Sequence, residues 1–272
     1  MAHACVLEAR LETSHRMATR PNQLFVQESN EAGQAEALAI VSYTDGACGR
    51  DGPALQAANA SLALRRDSNQ PLAVAYGLNY LGLAATWSRD FATAQRSLEE
   101  AVWSAGNGAE SAAGFQPLVN LGFLELLRML ETVGEASDQL AQLEQLVQKA
   151  RAFANTRPPA ILNRSVQALC MLLLDFMSCL VASRRARLQE ADACYLACLK
   201  RAASLPHSSW GQALLWWARV ERAAAHGDVE SCRMSLRAMA EAAGQHAQLQ
   251  GLSLALAANL QSPLNQSDSG YH

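Results

Sequence analysis

Signals for a β-sheet are missing from this sequence. No run of β-branched residues occurs, and no stretch alternates apolar and polar residues long enough to make a half-buried strand. Aromatic residues are scarce, at 6% of 272 residues, so Ala and Leu must carry most of the core. An excess of positive charge is missing too: 22 Lys and Arg stand against 25 Asp and Glu, for a net charge of −3. No basic stripe offers a phosphate backbone an electrostatic footprint, and nucleic acid is not an expected partner. The first twenty residues carry charges throughout and no apolar stretch, which argues against a signal peptide.

Catalytic and metal-binding patterns are equally thin. Cys5, Cys48, Cys170, Cys179, Cys194, Cys198 and Cys232 form no Cys-x-x-Cys pair. Cys194 and Cys198 share a helix face, yet no His or carboxylate motif completes a zinc site. Cysteines inside apolar helical segments act as small hydrophobes, which fits a reducing cytosol. The histidines lie mostly in turns, near the ends or on polar stretches, and no Gly-x-Ser-x-Gly, His-Glu-x-x-His or phosphate-binding loop is found. Glycines in the GACGRDG stretch have the wrong spacing for a P-loop and lack its Lys; a turn between helices is the simpler reading. The expectation is no catalytic residue, no metal and no cofactor.

What is present is helix-forming residue with a repeating apolar stripe. Ala and Leu have the best intrinsic helix propensities, and Ala lets helix axes approach closely. The fold class expected is all-α. The clearest unit runs from Leu78 to Gly106. Leu78, Leu81, Gly82 and Ala85 form one stripe; Ser88-Arg89-Asp90 supplies a turn, with Asp90 as N-cap; Phe91, Ala94, Leu98 and Ala101 repeat the stripe; Gly106 ends the helix. Weaker copies surround it. One spans 31–70 and is split by the TDGACGRDG loop, and the clear unit occupies 72–107. A third covers 115–155, where Asn120-Leu121-Gly122 echoes Asn79-Tyr80-Leu81-Gly82. Two more cover 159–205, with a break near Ser183 to Arg185, and 208–243, which turns at His226-Gly227-Asp228. A closing helix over 247–260 completes a repeat domain of 31–260. Residues 1–30 read as a partly disordered extension or linker, loop-like from Arg20 to Asn30, and 261–272 as a polar tail.

The Leu81-Gly82 pair, the small Ala94 twelve positions after the Gly, Leu98 and the small Ala101 resemble a tetratricopeptide repeat. Two positions depart: Leu78 stands where the family often has Trp, and Ala85 where it often has Tyr. The whole phrase resembles the degenerate tetratricopeptide regions of bacterial signalling proteins. That resemblance implies a right-handed superhelical stack of antiparallel helix pairs, an α-solenoid. It implies a cytoplasmic, non-catalytic scaffold or sensor module that binds a protein or peptide in its concave groove, here through Tyr76, Asn79, Leu83, Trp87 and Trp217. The basic residues by which chaperone-binding relatives clamp a peptide carboxylate are absent, as is a Gly-Gly-Asp/Glu-Glu-Phe output signature.

Other readings stay open. Asp175 lies in the most apolar segment, Val166 to Ser183, where an unpaired carboxylate would be costly. It pairs with Arg164 or the arginines near 185, or it lines a small-molecule pocket shared with Trp216 and Trp217. The same segment nearly reaches membrane-spanning length, but the central Asp175 opposes insertion and a buried solenoid helix reads just as apolar, so no membrane partner is expected. Arg184, Arg185 and Arg187 form the densest basic group, either a solvated cluster or an anion contact. A homodimer built on exposed repeat faces is the third possibility.

Overall fold

In a computed structural model of the chain, the described residues are 11–106, 114–131, 137–156, 164–205, 208–243 and 246–268. They form an all-α fold of twelve helices, with no strand among them. In order these are α1 (Leu11–Gln27), α2 (Glu31–Ala47), α3 (Asp51–Asp67), α4 (Pro71–Trp87), α5 (Phe91–Gly106) and α6 (Phe115–Glu131). There follow α7 (Ser137–Thr156), α8 (Arg164–Arg184), α9 (Leu188–Ala202), α10 (Ser209–Ala225), α11 (Val229–Ala243) and α12 (Ala247–Asp268). Each helix packs on the next, and α2, α4, α6, α8 and α10 also touch one another in sequence. These five line one inner face.

The hairpins are set by one recurring turn. Helices open at 11, 31, 51, 71 and 91, a step of 20 residues, so each 17-residue helix is followed by a three-residue link. The middle residue of the link is left-handed at Ser29, Gly49, Asn69 and Arg89, and again at Ala186 and Gly227, with φ from 52° to 75°. This conformation turns the chain so that the last carbonyls of the helix are satisfied from outside it. Arg50 N donates to Asp45 O, Asp90 N to Ala85 O and Asp228 N to Ala223 O, at 2.8, 3.0 and 2.9 Å. Asn30, Asp90 and Asp228 then cap the following helix by accepting from the amides of Gly33, Thr93 and Ser231. The expected turns at Ser88-Arg89-Asp90 and His226-Gly227-Asp228 are those found.

Small residues set the crossings. A Cβ on Gly82 would lie 2.5 Å from Leu98 Cγ and 3.3 Å from Ala94 O, so α4 and α5 meet where neither side chain could be larger. Leu81, Ala94, Leu98 and Ala101 are buried around that point, while Phe91 is half-buried.

Three expected boundaries are corrected. The TDGACGRDG loop shrinks to Cys48–Arg50, because α2 continues through Thr44, Asp45 and Gly46. Thr44 Oγ1 donates to Ile40 O, and Asp45 is held by Arg50, so these polar residues stay helical. Most of the stretch from Arg20 to Asn30 is helix rather than linker, since α1 packs on α2, with Ala18 buried against Ile40. The closing helix runs past 260 to Asp268, into the expected polar tail. The expected hairpin start at Pro159 lies outside the described residues. Of the described helices, the segment Val166–Arg184 in α8 alone is long and apolar enough to cross a membrane, but 67% of it is buried inside the fold. It packs against α6, α7, α9 and α10 as a core helix.

Candidate functional site

The residues expected to line a groove divide in two. Tyr76 and Leu83 on α4 are half-buried, whereas Asn79, Trp87 and Trp217 are 1%, 4% and 1% exposed. Those three are core positions here, which corrects their reading as open contacts. Asn79 accepts a hydrogen bond from Asn120 Nδ2 at 2.8 Å, joining α4 to α6 through the two asparagines of the echoed motif. Trp217 packs on Phe176 at 4.8 Å between ring centroids and donates to Glu221 Oε1. It belongs to the α8–α10 contact and does not meet the α4 residues as a single lining.

The inner face is filled by rings from helices far apart in sequence. Tyr43 of α2 meets Trp87 of α4 edge-on at 5.0 Å between ring centroids, and Trp210 of α10 belongs to the same apolar cluster. Trp210 meets Phe123 of α6 at 5.6 Å and donates to His246 Nε2 at 2.8 Å. Burial holds the His246 imidazole down at about 4, so it is neutral and serves as an acceptor. α12 completes the closure. Beyond its contact with α11 it reaches across to α2 and α6, and Gln248 Nε2 donates to Gly46 O at 3.1 Å. The Trp87 ring fills the space a Cβ on Gly46 would need. The last helix therefore touches the second, and the stack closes on itself.

A second feature is a cleft of about 310 Å³ between α7, α8 and α9, lined by Glu144, Arg151, Asp175, Ser178, Arg187 and Cys194 among others. Asp175 is 2% exposed and takes Arg151 on one oxygen at 3.0 Å and Arg201 on the other at 2.7 Å. These partners, from α7 and α9, replace the expected arginines near 185; the side chain of Arg164 lies outside the described residues. Arg151 also donates to Ser178 Oγ at 2.7 Å. Neither Trp216 nor Trp217 lines this cleft. The expected pocket thus keeps its carboxylate and loses its aromatics.

The three arginines of the basic group are exposed, and each also makes an ion pair. Arg184 forks onto buried Glu221 at 2.9 and 3.1 Å, while Arg185 and Arg187 both pair with Glu144, at 3.5 and 2.8 Å. Burial pushes the Cys170 and Cys179 thiols up to about 12, so both stay protonated and unreactive. Among the described residues no group of three or more His, Cys, Asp or Glu could hold a metal ion.

Sequence reasoning missed Arg151 and Arg201, whose role depends on helices 24 to 26 positions from Asp175. It also missed Trp103 on α5, 68% exposed, although a Trp on the polar side of that helix's stripe was a readable signal. No family model matches the chain, and a search of curated proteins returns no significant match.

Proposed function

We propose that this chain is a non-catalytic interaction module of the tetratricopeptide type, a right-handed superhelical scaffold or sensor from a bacterial signalling system, cytoplasmic and acting by holding a protein or peptide. The observation that carries this reading is the α4–α5 crossing, where Gly82, Ala94, Leu98 and Ala101 take the packing roles the resemblance implies. A solenoid of this kind presents its first helices as a partner surface, and those helices here carry Tyr76 and Leu83 in half-buried positions. Affinity capture on the full chain tests it, comparing wild type with Tyr76→Ala/Leu83→Ala. A partner held by wild type and lost by the variant supports the reading, and no reproducible partner for either sinks it.

A second reading is favoured by the cleft beside Asp175. Its size and mixed lining of Arg151, Arg187, Glu144 and Ser178 suit a small polar molecule. A thermal-shift screen separates the two readings, because a bound ligand raises the melting temperature by mass action. Compounds whose shift disappears in Arg151→Met would move the site from α4 to α7–α9.

A further inference from the structure

We infer that the cleft between α7, α8 and α9 takes a small organic acid, with its one carboxylate on Arg151 and its apolar body along α9. This rests on the small-molecule reading of that cleft and names the class of molecule.

The charges fix the sign of the ligand. One cation is enough to offset Asp175, and it has two, Arg151 from α7 and Arg201 from α9. At the other end Arg185 and Arg187 meet Glu144, and Arg187 also meets Glu190 at 3.1 Å. Four guanidinium groups thus face three carboxylates, and the surplus positive charge lies at the Asp175 end. Arg151 brings that charge to the cleft, with 39% of its side chain exposed. Its Nε donates to Ser178 and its Nη2 to both Ser178 and Asp175, while Nη1 has no acceptor among the described residues. The two N–H groups on Nη1 are left for an oxygen from outside. One surplus charge matches a carboxylate, whereas a phosphate dianion would be repelled by Asp175, Glu144 and Glu190.

The walls fix the body. α9 turns Ala193, Cys194 and Ala197 to the cleft, and Val147 of α7 and Val181 of α8 complete an apolar lining. The larger Leu196 and Leu199 of α9 are exposed and do not line it, so small side chains keep the cleft open. Arg151 and Glu144 are two turns apart on α7, about 10 Å. An extended hexanoate is of that length.

The probe is therefore hexanoate, titrated into the full chain and followed by ligand-observed NMR beside hexanamide, hexylammonium and hexyl phosphate. We expect hexanoate to bind at least tenfold tighter than each of the other three. Arg151→Gln should weaken it at least tenfold, with Asp175 still held by Arg201. Ala193→Trp puts a large ring at an exposed position of the cleft and changes no charge. It should abolish hexanoate binding with helical circular dichroism unchanged. Alkylation of half-buried Cys194, read by peptide mass spectrometry, should slow when hexanoate is bound.

Hexanamide or hexylammonium binding as tightly as hexanoate overturns the inference, and the small-molecule reading survives where Ala193→Trp abolishes that binding. Tighter binding of hexyl phosphate overturns the carboxylate. Hexanoate binding that neither substitution weakens, or that leaves Cys194 alkylation unchanged, overturns the site. If no probe binds, the inference falls. The small-molecule reading itself falls only when the thermal-shift screen also yields no compound whose shift is lost in Ala193→Trp.

Discussion

From α1 to α5 the helices open every 20 residues, and the buried positions between them are largely alanine: Ala54, Ala58, Ala84, Ala94 and Ala101 with Leu62, Leu78 and Leu98. From α6 onward the core is built of Phe123, Leu143, Leu172, Phe176, Met177 and Trp217, and the helices α7 and α8 lengthen to 20 and 21 residues. The axial separation of two helices follows the side chains at their contact. Alanine at the crossings allows close approach, and the four 17-residue helices α1 to α4 are each followed by the same three-residue link. Larger side chains need more volume, and the second region fills the remainder with buried carboxylates. Glu125, Asp175 and Glu221 are all below 9% exposed, each with an arginine. The first region has one comparable case, Asp45 with Arg50 and His15.

The largest expected effect lies in those buried pairs. Arg184→Met leaves Glu221, 4% exposed, with the Trp217 indole as its remaining partner. Because the Arg184 side chain is itself 30% exposed, the loss should fall below that of a fully buried pair, about 3–5 kcal/mol. Arg50→Met should cost less, because His15 still faces Asp45 at 3.3 Å and Arg50 is itself 46% exposed. Urea unfolding of both variants measures the difference. Equal losses would break the contrast between the regions, and near-full recovery in Arg184→Met/Glu221→Gln would sharpen it.

Next in size is the acid response of the inner face. His246 is held neutral, its folded pKa of about 4 lying below the ordinary 6.5. Between those values the unfolded chain binds the proton and the folded chain does not, so stability is full above pH 6.5 and falls as pH drops toward 4. The loss approaches about 3 kcal/mol at the lower end, at 1.36 kcal/mol per unit. His246→Gln keeps a side-chain acceptor for Trp210 and should flatten this part of the curve. A variant that keeps the full wild-type slope between pH 6.5 and 4 would show that another group carries it.

Two glycines compare the regions directly. Gly82→Ala drives a methyl to 2.5 Å from Leu98 Cγ in a layer where Leu98 is fully buried, and overpacking of this kind costs about 1–3 kcal/mol. Gly122→Ala meets Met177 Sδ at 2.9 Å, and an unbranched thioether yields more readily, so it should cost under about 1 kcal/mol. The Gly82 crossing was legible because its partners, Ala94 and Leu98, lie one turn of chain away and repeat the stripe. The turns at Ser88–Asp90 and His226–Asp228 were legible for the same local reason. The filled inner face was not. Whether Trp87 lines a groove or is buried depends on Tyr43 of α2 packing on it, on the cluster it shares with Trp210 of α10, and on α12 returning to Gly46. No periodicity in a single helix encodes such a closure. Asp175 stood out by its apolar surroundings, yet choosing among the chain's arginines required knowing which helices flank α8.

The smallest effect tests what the two regions share. Both use the same left-handed turn, at Arg89 in one and Ala186 in the other, with φ of 63° and 55°. A side chain in this conformation costs about 1–2 kcal/mol, and glycine gives back part of that through its freer unfolded chain. Ala186→Gly should therefore stabilise by about 0.5–1 kcal/mol. Arg89→Gly should gain less, because it also gives up the exposed pair with Glu131 at 3.1 Å, a contact of the kind that contributes about 0–1 kcal/mol. Gly227→Ala supplies the reverse test: no atom lies within 4 Å of the added methyl, so any loss comes from the backbone alone. If Gly227→Ala destabilises while Ala186→Gly is neutral, the turn is relaxed in the α8–α9 hairpin and strained only in the α10–α11 one. If the two shifts mirror each other, one turn conformation is under the same strain in both hairpins, and the difference between the regions lies wholly in what packs between the helices.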